Sequence, residues 1–291
     1  MSVSDTAAQE FIGSHRPSAV RTHGRLLRSE LRLIVGRRRN QMGLLVLAAV
    51  PVLIALALKF STPRGGRGAT DFIAAATSNG LFVALAAITI EIALFLPLAV
   101  AVLSGDAIAG EANTGTLRYL LTVPVTRTRL LATKYAALTI GALIGVVVVA
   151  VTGVIIGGAL FGLGPVTLLS GAQVPLTDGL LRLALAVLYV AVGLAALAAI
   201  GLFISVLTEQ PIAAMIAVTI VSTAMWILDG ITQLDWLHPW LLVHYWPAFA
   251  DFFRDPMYFD EIIRGLLVDV AYAVIFGTLA WARFGRKDVT S

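Results

Sequence analysis

The sequence contains no cysteine, which excludes disulfide bonds, thiolate metal sites and cysteine nucleophiles. Charged residues are also scarce: they make up 13% of the 291 residues, about half the share of a soluble domain. So few charges cannot cover a surface that faces water, and 58% of the residues are apolar. Because the surplus apolar side chains must face lipid, the composition predicts an integral membrane protein.

The usual catalytic and nucleotide-binding motifs are absent. There is no Gly-x-x-x-x-Gly-Lys-Ser/Thr loop, no His-Glu-x-x-His and no Gly-x-Ser-x-Gly. The glycine-rich run at residues 65–68 follows no strand and predicts a turn. Residues 1–25 are polar and lack the apolar core of a cleavable signal. We therefore expect a chain that is not an enzyme, binds no cofactor and holds no metal.

Six segments are long and apolar enough to cross a bilayer, which takes roughly 20 residues of helix. They lie at residues 42–60, 80–104, 135–162, 180–207, 212–228 and 262–284. Pro51 and Pro97 fall inside the first two and are tolerable there, because neighbouring helices can satisfy the freed backbone groups. The predicted fold class is an all-α integral membrane protein with six transmembrane helices.

The basic residues are distributed unequally between the two sides of these spans. Residues 1–41, the connection between spans two and three, and the stretch from Arg283 to the end of the sequence hold 15 of the 21 Lys and Arg. The positive-inside rule then places both termini in the cytoplasm, with the chain in the plasma (cytoplasmic) membrane. The predicted division is a cytoplasmic N-terminus at 1–41, a six-helix transmembrane domain at 42–284 and a cytoplasmic tail at 285–291.

An amphipathic helix is predicted ahead of the first span. Leu27, Leu31 and Ile34 recur on one helical face, and four arginines share the opposite side: Arg21, Arg25, Arg28 and Arg32. This pattern favours a helix lying on the cytoplasmic leaflet, with lipid head groups as its partner and no nucleic acid. A floppy basic tail is the alternative.

The segment at residues 229–261 is rich in aromatic residues and is predicted to be neither a span nor a disordered loop. Such residues gather at membrane interfaces, so a short outer helical or re-entrant segment is predicted between spans five and six. His238 and His244 also lie here, but their spacing suits a helical metal site poorly and Pro239 intervenes. A metal site is therefore not expected.

Spans three and four are rich in small residues, which allow helices to approach closely in lipid. Gly141 and Gly145 are four residues apart, as are Gly153 and Gly157. Either packing within one subunit or an interface between subunits explains this spacing.

Glu91 lies near the middle of the second predicted span, where an ionisable group costs at least about 2.5 kcal/mol. It needs a cavity or a partner, and Asp269 and Arg264 in or near span six are candidates. Glu91 and Asp269 are therefore the candidate residues of a translocation path or of a buried polar contact. The sequence does not separate these two roles.

The connection after span two carries a motif. Residues 104–134 read SGDAIAGEANTGTLRYLLTVPVTRTRLLATK, with Glu111, Gly115-Thr116-Leu117, Pro124, Thr126-Arg127 and Lys134 in that order. The segment resembles the permease subunits of the type-2 ATP-binding-cassette (ABC) exporter family. Those proteins carry a Glu, then Gly-Thr-Leu, then a Pro followed by Ser/Thr and Arg, and a Lys that opens the third span.

The resemblance implies a function and a set of partners. The connection would be the coupling helix that inserts into a separate ABC ATPase subunit, present in two copies and binding ATP and magnesium. A second permease copy, identical or different, would complete the translocation path, lined by spans two and five. Drugs or antibiotics, lipids and peptides are the cargo classes of such exporters. The coupling residues by resemblance are Glu111, Gly115, Thr116, Leu117, Arg118, Leu121 and Pro124.

The residues of this connection suit that role. Gly115 can bend the chain between two short helices, and Thr126 can cap the entry to span three. Two rival classes remain. A proton-coupled secondary transporter would use Glu91 and Asp269, although no internal repeat is evident. An intramembrane enzyme would need clustered His, Asp or Glu on facing spans, which the sequence does not show.

Overall fold

The structure is a computed structural model that describes residues 19–60, 79–115 and 126–286. These residues are mostly helical. The helices are α1 (Ala19–Gly36), α2 (Arg38–Phe60), α3 (Leu81–Glu91), α4 (Phe95–Asn113), α5 (Arg127–Phe161), α6 (Leu176–Leu207), α7 (Pro211–Asp229) and α8 (Asp260–Gly285).

Six of these helices are long and apolar enough to cross a membrane: α2, α4, α5, α6, α7 and α8. The prediction of six spans in a helical membrane protein is thereby confirmed at this level. α6 lies at the centre of the bundle, because 78% of its apolar stretch is buried. The corresponding share is only 17% for α2, α7 and α8, whose remaining apolar surface faces outward.

The prediction of one continuous second span was wrong. α3 ends at Glu91, a turn occupies residues 92–94, and α4 then begins at Phe95 and continues beyond residue 104 to Asn113. Pro97 accompanies the break: it has no N–H to donate to the carbonyl of residue 93, and its ring crowds that carbonyl. Pro51, in contrast, lies inside an unbroken α2.

The connection between α5 and α6 contains a small β-hairpin, which the predicted all-α fold class did not include. Strands β1 (Val166–Thr167) and β2 (Gln173–Val174) pair antiparallel, with Val166 opposite Val174. The hairpin is joined to the α7–α8 connection, since the Leu169 N–H donates to the Phe253 carbonyl at 2.8 Å. We call these two connections, residues 162–175 and 230–259, the cap.

The α7–α8 part of the cap contains three 3₁₀ helices: Thr232–Leu234, His238–Trp240 and Trp246–Phe253. The aromatic residues expected at a membrane interface divide into two groups. Trp236 and Trp240 are each 71% exposed, whereas Trp246 and Phe253 are almost completely buried in the core. Much of this aromatic segment therefore packs onto the bundle.

Arg182 of α6 anchors the cap. Its guanidinium donates to the carbonyls of Phe252 at 2.7 Å and Arg254 at 2.8 Å, and it pairs with Asp178 at 2.9 Å. The side chain is buried, so these acceptors replace the water that it has lost.

The two glycine pairs singled out in the sequence, all within α5, face other helices of the same chain. Gly153 and Gly157 pack against Ala84 and Gly80 at the start of α3, so closely that a Cβ atom at either would overlap backbone atoms. Gly141 and Gly145 face side chains of α1, α2 and α4. The spacing of these glycines is therefore explained by packing within one subunit, and not by an interface between subunits.

Helix α1 is amphipathic, and part of its predicted apolar stripe packs inward. Leu27, Leu31 and Ile34 are partly buried, and Ile34 lies against Gly141 of α5. Leu33 and Val35 are about half exposed on the remaining surface. The helix is thus attached to the bundle along one side.

Candidate functional site

Charged side chains collect at the end of the bundle opposite the cap, which we call the basal end. α1, the first turn of α2, the last turns of α4, the start of α5 and the end of α8 meet there. The basal network consists of Glu30, Arg37, Arg39, Asp106, Glu111 and Lys134. Three carboxylates face three cations, so the network is neutral as a whole.

Lys134 lies at the centre of this network and is only 2% exposed. Its Nζ is 2.6 Å from Oε1 of Glu111 and 3.2 and 3.3 Å from the two carboxylate oxygens of Glu30. A buried ammonium group is tolerated only when it is paired and hydrogen-bonded, and both acids meet that need. Through Lys134, α5 is tied to α4 and α1 at the same point.

Asp106 forms the second half of the network. Its carboxylate pairs with Arg37 at 2.5 Å and also with Arg39, two residues that flank the start of α2. Between the two halves lies a cavity of about 40 Å³, lined by Asp106, Glu111 and Lys134 among others. That volume is sufficient for water.

The helix carrying Asp106 and Glu111 changes its winding between them. Residues Asp106–Gly110 form a π-helical turn within α4. Ser205 of α6 supports this turn, because its Oγ accepts from the N–H groups of Ile108 at 3.1 Å and Ala109 at 3.0 Å. π-helical turns are frequent at functional sites, and this one sets the direction in which the last turn of α4 leaves the bundle.

The basal end also fixes the last helix. The Arg127 guanidinium donates to the carbonyls of Phe284 at 3.3 Å and Gly285 at 2.9 Å, where α8 ends. A cation at a helix C-terminus is favourable, which gives Arg127 a role besides contact with lipid head groups. Thr126 accepts from the N–H of Arg129, as predicted for the cap of α5.

Of the predicted coupling residues, the structure describes Glu111 and Gly115. Gly115 follows α4 with φ +70°, and its N–H donates to the Ala112 carbonyl at 3.0 Å. Glycine adopts this left-handed conformation without strain, so the predicted bend is present. Thr116, Leu117, Arg118, Leu121 and Pro124 lie outside the described residues.

The sequence motif gave Glu111 a role toward a partner, but the structure places it against Lys134 of the same chain. These two residues are the first and last of the motif, 23 positions apart. Sequence reasoning missed this pairing, as it missed Glu30 and Asp106. The sequence did contain a signal for this pairing: Glu111 and Lys134 carry opposite charges at the two ends of one connection, in a chain with few charged residues.

Glu91 is completely buried as the last residue of α3, immediately before the break. Among the described residues, neither of its carboxylate oxygens has a hydrogen-bond partner. No hydrogen bond or ion pair in that part of the chain joins it to Asp269 or Arg264. Asp269 and Arg264, the predicted partners of Glu91, therefore form no such contact with it in the described residues.

Asp269 is also buried, at 2% exposure, on α8. It lies near the Trp246 indole, yet the structure gives its Oδ2 no hydrogen-bond partner within the described ranges. Tyr189 of α6 lies nearby and donates to the Tyr245 carbonyl at 2.7 Å. Asp269 thus lies beneath the cap, separate from Glu91.

The fold defines a helical protein of the multi-pass membrane type, with a charged basal end and a folded cap. Residues 46–290 match the family model described as "Protein of unknown function (DUF2705)". Since this match spans well over half of the chain, the protein belongs to that family. No curated protein matches the sequence.

Proposed function

We propose that the chain is the permease subunit of an ABC exporter, working with two copies of a separate ATPase and a second permease. The observation that carries the proposal is the buried contact between Glu111 and Lys134, 2.6 Å long. The two charged residues that frame the family-like motif close the connection between α4 and α5. The contact thus joins the two ends of the motif.

The contact suits mechanical coupling. A coupling segment must pass a push from an ATPase to several spans without being deformed itself. Here α4 and α5 leave the connection already joined, and Glu30 adds α1 to the same junction. A displacement of the connection would therefore move α1, α4 and α5 as one body.

The basal end is accordingly assigned to the cytoplasm. It carries α1, the start of α2, the α4–α5 connection and the end of α8, which together hold most of the basic residues. α1 would lie at the lipid surface, with Arg25, Arg28 and Arg32 exposed toward anionic head groups. The cap would then lie on the outer face.

Helix α7 supports the need for a second permease copy. Four of its isoleucines are more than half exposed: Ile212, Ile216, Ile220 and Ile227. In the proposed assembly α4 and α7 line the path between two such bundles. ATP and magnesium bind to the ATPase, and the cargo is a drug or antibiotic, a lipid or a peptide.

A second candidate is a proton-coupled secondary transporter that uses Glu91 and Asp269. Two buried carboxyl groups favour it. Among the described residues, both oxygens of Glu91 and Oδ2 of Asp269 have no hydrogen-bond partner. The two groups do not contact one another, so each would have to carry protons separately. We rank this candidate below the exporter.

Co-purification tests the proposal. The chain is co-expressed with any ABC ATPase whose gene adjoins its own, and the detergent-solubilised complex is assayed for capture and ATP hydrolysis. We expect capture with the natural sequence and loss of capture with L117A/L121A, two leucines of the predicted coupling segment. The control L169A/L181A changes two exposed leucines at the cap end and should leave capture intact.

Two results would contradict the exporter. One is the absence of any captured ATPase while the chain alone supports proton-driven uptake in proteoliposomes. The other is capture that L117A/L121A and its control affect equally.

A further inference from the structure

Three side chains with metal-binding chemistry meet where α7 ends and the cap begins. Asp229 is the last residue of α7, His238 opens the second 3₁₀ helix, and His244 lies in the following turn. One ligand atom from each of the three lies within 4.8 Å of the other two. We propose that Asp229, His238 and His244 bind a divalent transition-metal ion of the zinc class.

The turns of the cap bring the histidines together. Their spacing is unsuitable on a continuous helix, but the chain between them turns at Pro239 and again near Leu241. The two rings come to lie 5.6 Å apart between centroids, tilted by 34°. His244 Nδ1 is 2.6 Å from the Asp229 carboxylate, in a hydrogen bond that an inserted ion would replace.

His238 is held as a metal-ligating histidine usually is. Its Nε2 contacts the Ile231 carbonyl at 3.1 Å, which fixes the ring and leaves Nδ1 for a ligand. Asp235 lies 3.7 Å from that Nδ1 and can supply a further oxygen. Ligand atoms around zinc are separated by about 3.3 Å, so atoms up to 4.8 Å apart would have to approach one another by about 1.5 Å.

The surroundings favour a cation. The side chains of Asp229, His238 and His244 are 15% to 30% exposed, so an ion can enter and then be largely shielded from water. Residues 183–253 contain no lysine or arginine, so no cation from this stretch competes for the carboxylates. Imidazole with carboxylate suits zinc, nickel or copper, whereas magnesium and calcium prefer oxygen ligands alone.

A bound ion would fasten the end of α7 to the cap. It would close connections of 9 and 15 residues, which are otherwise held by packing and hydrogen bonds. This site is independent of the exporter proposal, because neither the ATPase nor the cargo takes part in it.

Zinc titration of the full-length chain tests the site. The protein is purified in detergent with a tag that contains no histidine, stripped with EDTA and titrated with zinc chloride in a calorimeter. We expect one ion per chain in the natural protein and none in H238Q/H244Q. Affinity should fall by at least the roughly 10- to 100-fold typical of losing an outer-shell partner in D229N, because Asp229 is proposed to bind the ion directly. The control H15Q/H23Q removes the other two histidines and should bind zinc normally.

X-ray absorption at the zinc edge on the natural protein gives an answer that does not depend on variant folding. The expected signature is two imidazole nitrogens with oxygen ligands at about 2.0–2.2 Å. The proposal is overturned if the natural chain takes up no stoichiometric zinc, if a well-folded H238Q/H244Q retains it, or if absorption shows oxygen ligands only.

Discussion

The two ends of this bundle are held together by different chemistry. At the basal end, six charged side chains and one serine link α1, α2, α4, α5 and α6. At the cap end, buried aromatic residues pack onto the bundle, and Arg182 binds backbone carbonyls. Ion pairs depend on geometry and fail when one partner is lost, whereas aromatic packing is spread over many contacts. The basal end should therefore be the more sensitive to single substitutions of charged residues.

The largest effect is expected for K134A at the basal end. It leaves Glu30 and Glu111 facing each other without their common cation, which costs about 3–5 kcal/mol for a broken buried pair. The apparent unfolding temperature in detergent should fall by roughly 10 °C. K59A removes an exposed lysine and is the matched control.

The triple variant K134M/E30Q/E111Q removes all the charges of this half of the network. It should recover most of the lost stability, because no unpaired charge remains buried. If the triple variant is no better than K134A, the pairing is not what holds these helices together.

The second prediction concerns the cap end. R182A removes the donors to the Phe252 and Arg254 carbonyls and leaves both without that partner. Hydrogen bonds from a charged group contribute about 1.5–3 kcal/mol, so a loss near 2–3 kcal/mol is expected. Amide hydrogen exchange should increase within residues 246–259 while the basal end keeps its protection.

R254A is the control for the cap end, since Arg254 is 58% exposed in its pair with Asp251. Exposed pairs contribute less than about 1 kcal/mol. Equal loss of protection in R182A and R254A would show that the buried arginine is not the anchor of the cap.

The contrast between the ends also explains what the sequence could predict. Hydropathy depends on composition along the chain, so five of the six spans were identified to within eight residues of their observed ends. The break after Glu91 was missed, because Pro51 and Pro97 look alike in sequence although only Pro97 accompanies an interruption. Proline position relative to a helix start is decided by packing, which a single sequence does not show.

The candidate sites were predicted less completely than the spans. Glu111 and Lys134 stand out as the ends of a motif, yet their contact with each other and with Glu30 depends on how three helices meet. His238 and His244 were judged by helical spacing, and the turns of the cap bring them together instead. Both cases involve contacts between distant elements, for which local periodicity carries no information.

A third prediction concerns the π-helical turn, which is held to α6 by the uncharged hydroxyl of Ser205. S205A removes the acceptor of the Ile108 and Ala109 N–H groups, which are buried. An unsatisfied buried donor costs about 1–3 kcal/mol, and relaxation of the turn toward α-helix should reduce this to the lower value. Exchange of these two amides should rise first. S222A, a buried serine on α7 whose hydroxyl has no hydrogen-bond partner among the described residues, is the control.

The smallest effect is expected for the exposed aromatic residues of the cap. W236A and W240A remove indoles that are each 71% exposed, so the free energy of unfolding in detergent should change by less than about 0.5 kcal/mol. W246A, which empties a buried position against Gly193, should cost about 3–5 kcal/mol.

Trp236 and Trp240 should instead affect lipid contact, since tryptophan favours the membrane interface. Brominated lipid should therefore quench a smaller fraction of the total tryptophan fluorescence in reconstituted W236A/W240A than in the natural protein. Destabilisation in detergent as large as that of W246A would mean that the whole cap is one packed unit, and the distinction drawn between its two groups of aromatic residues would fail.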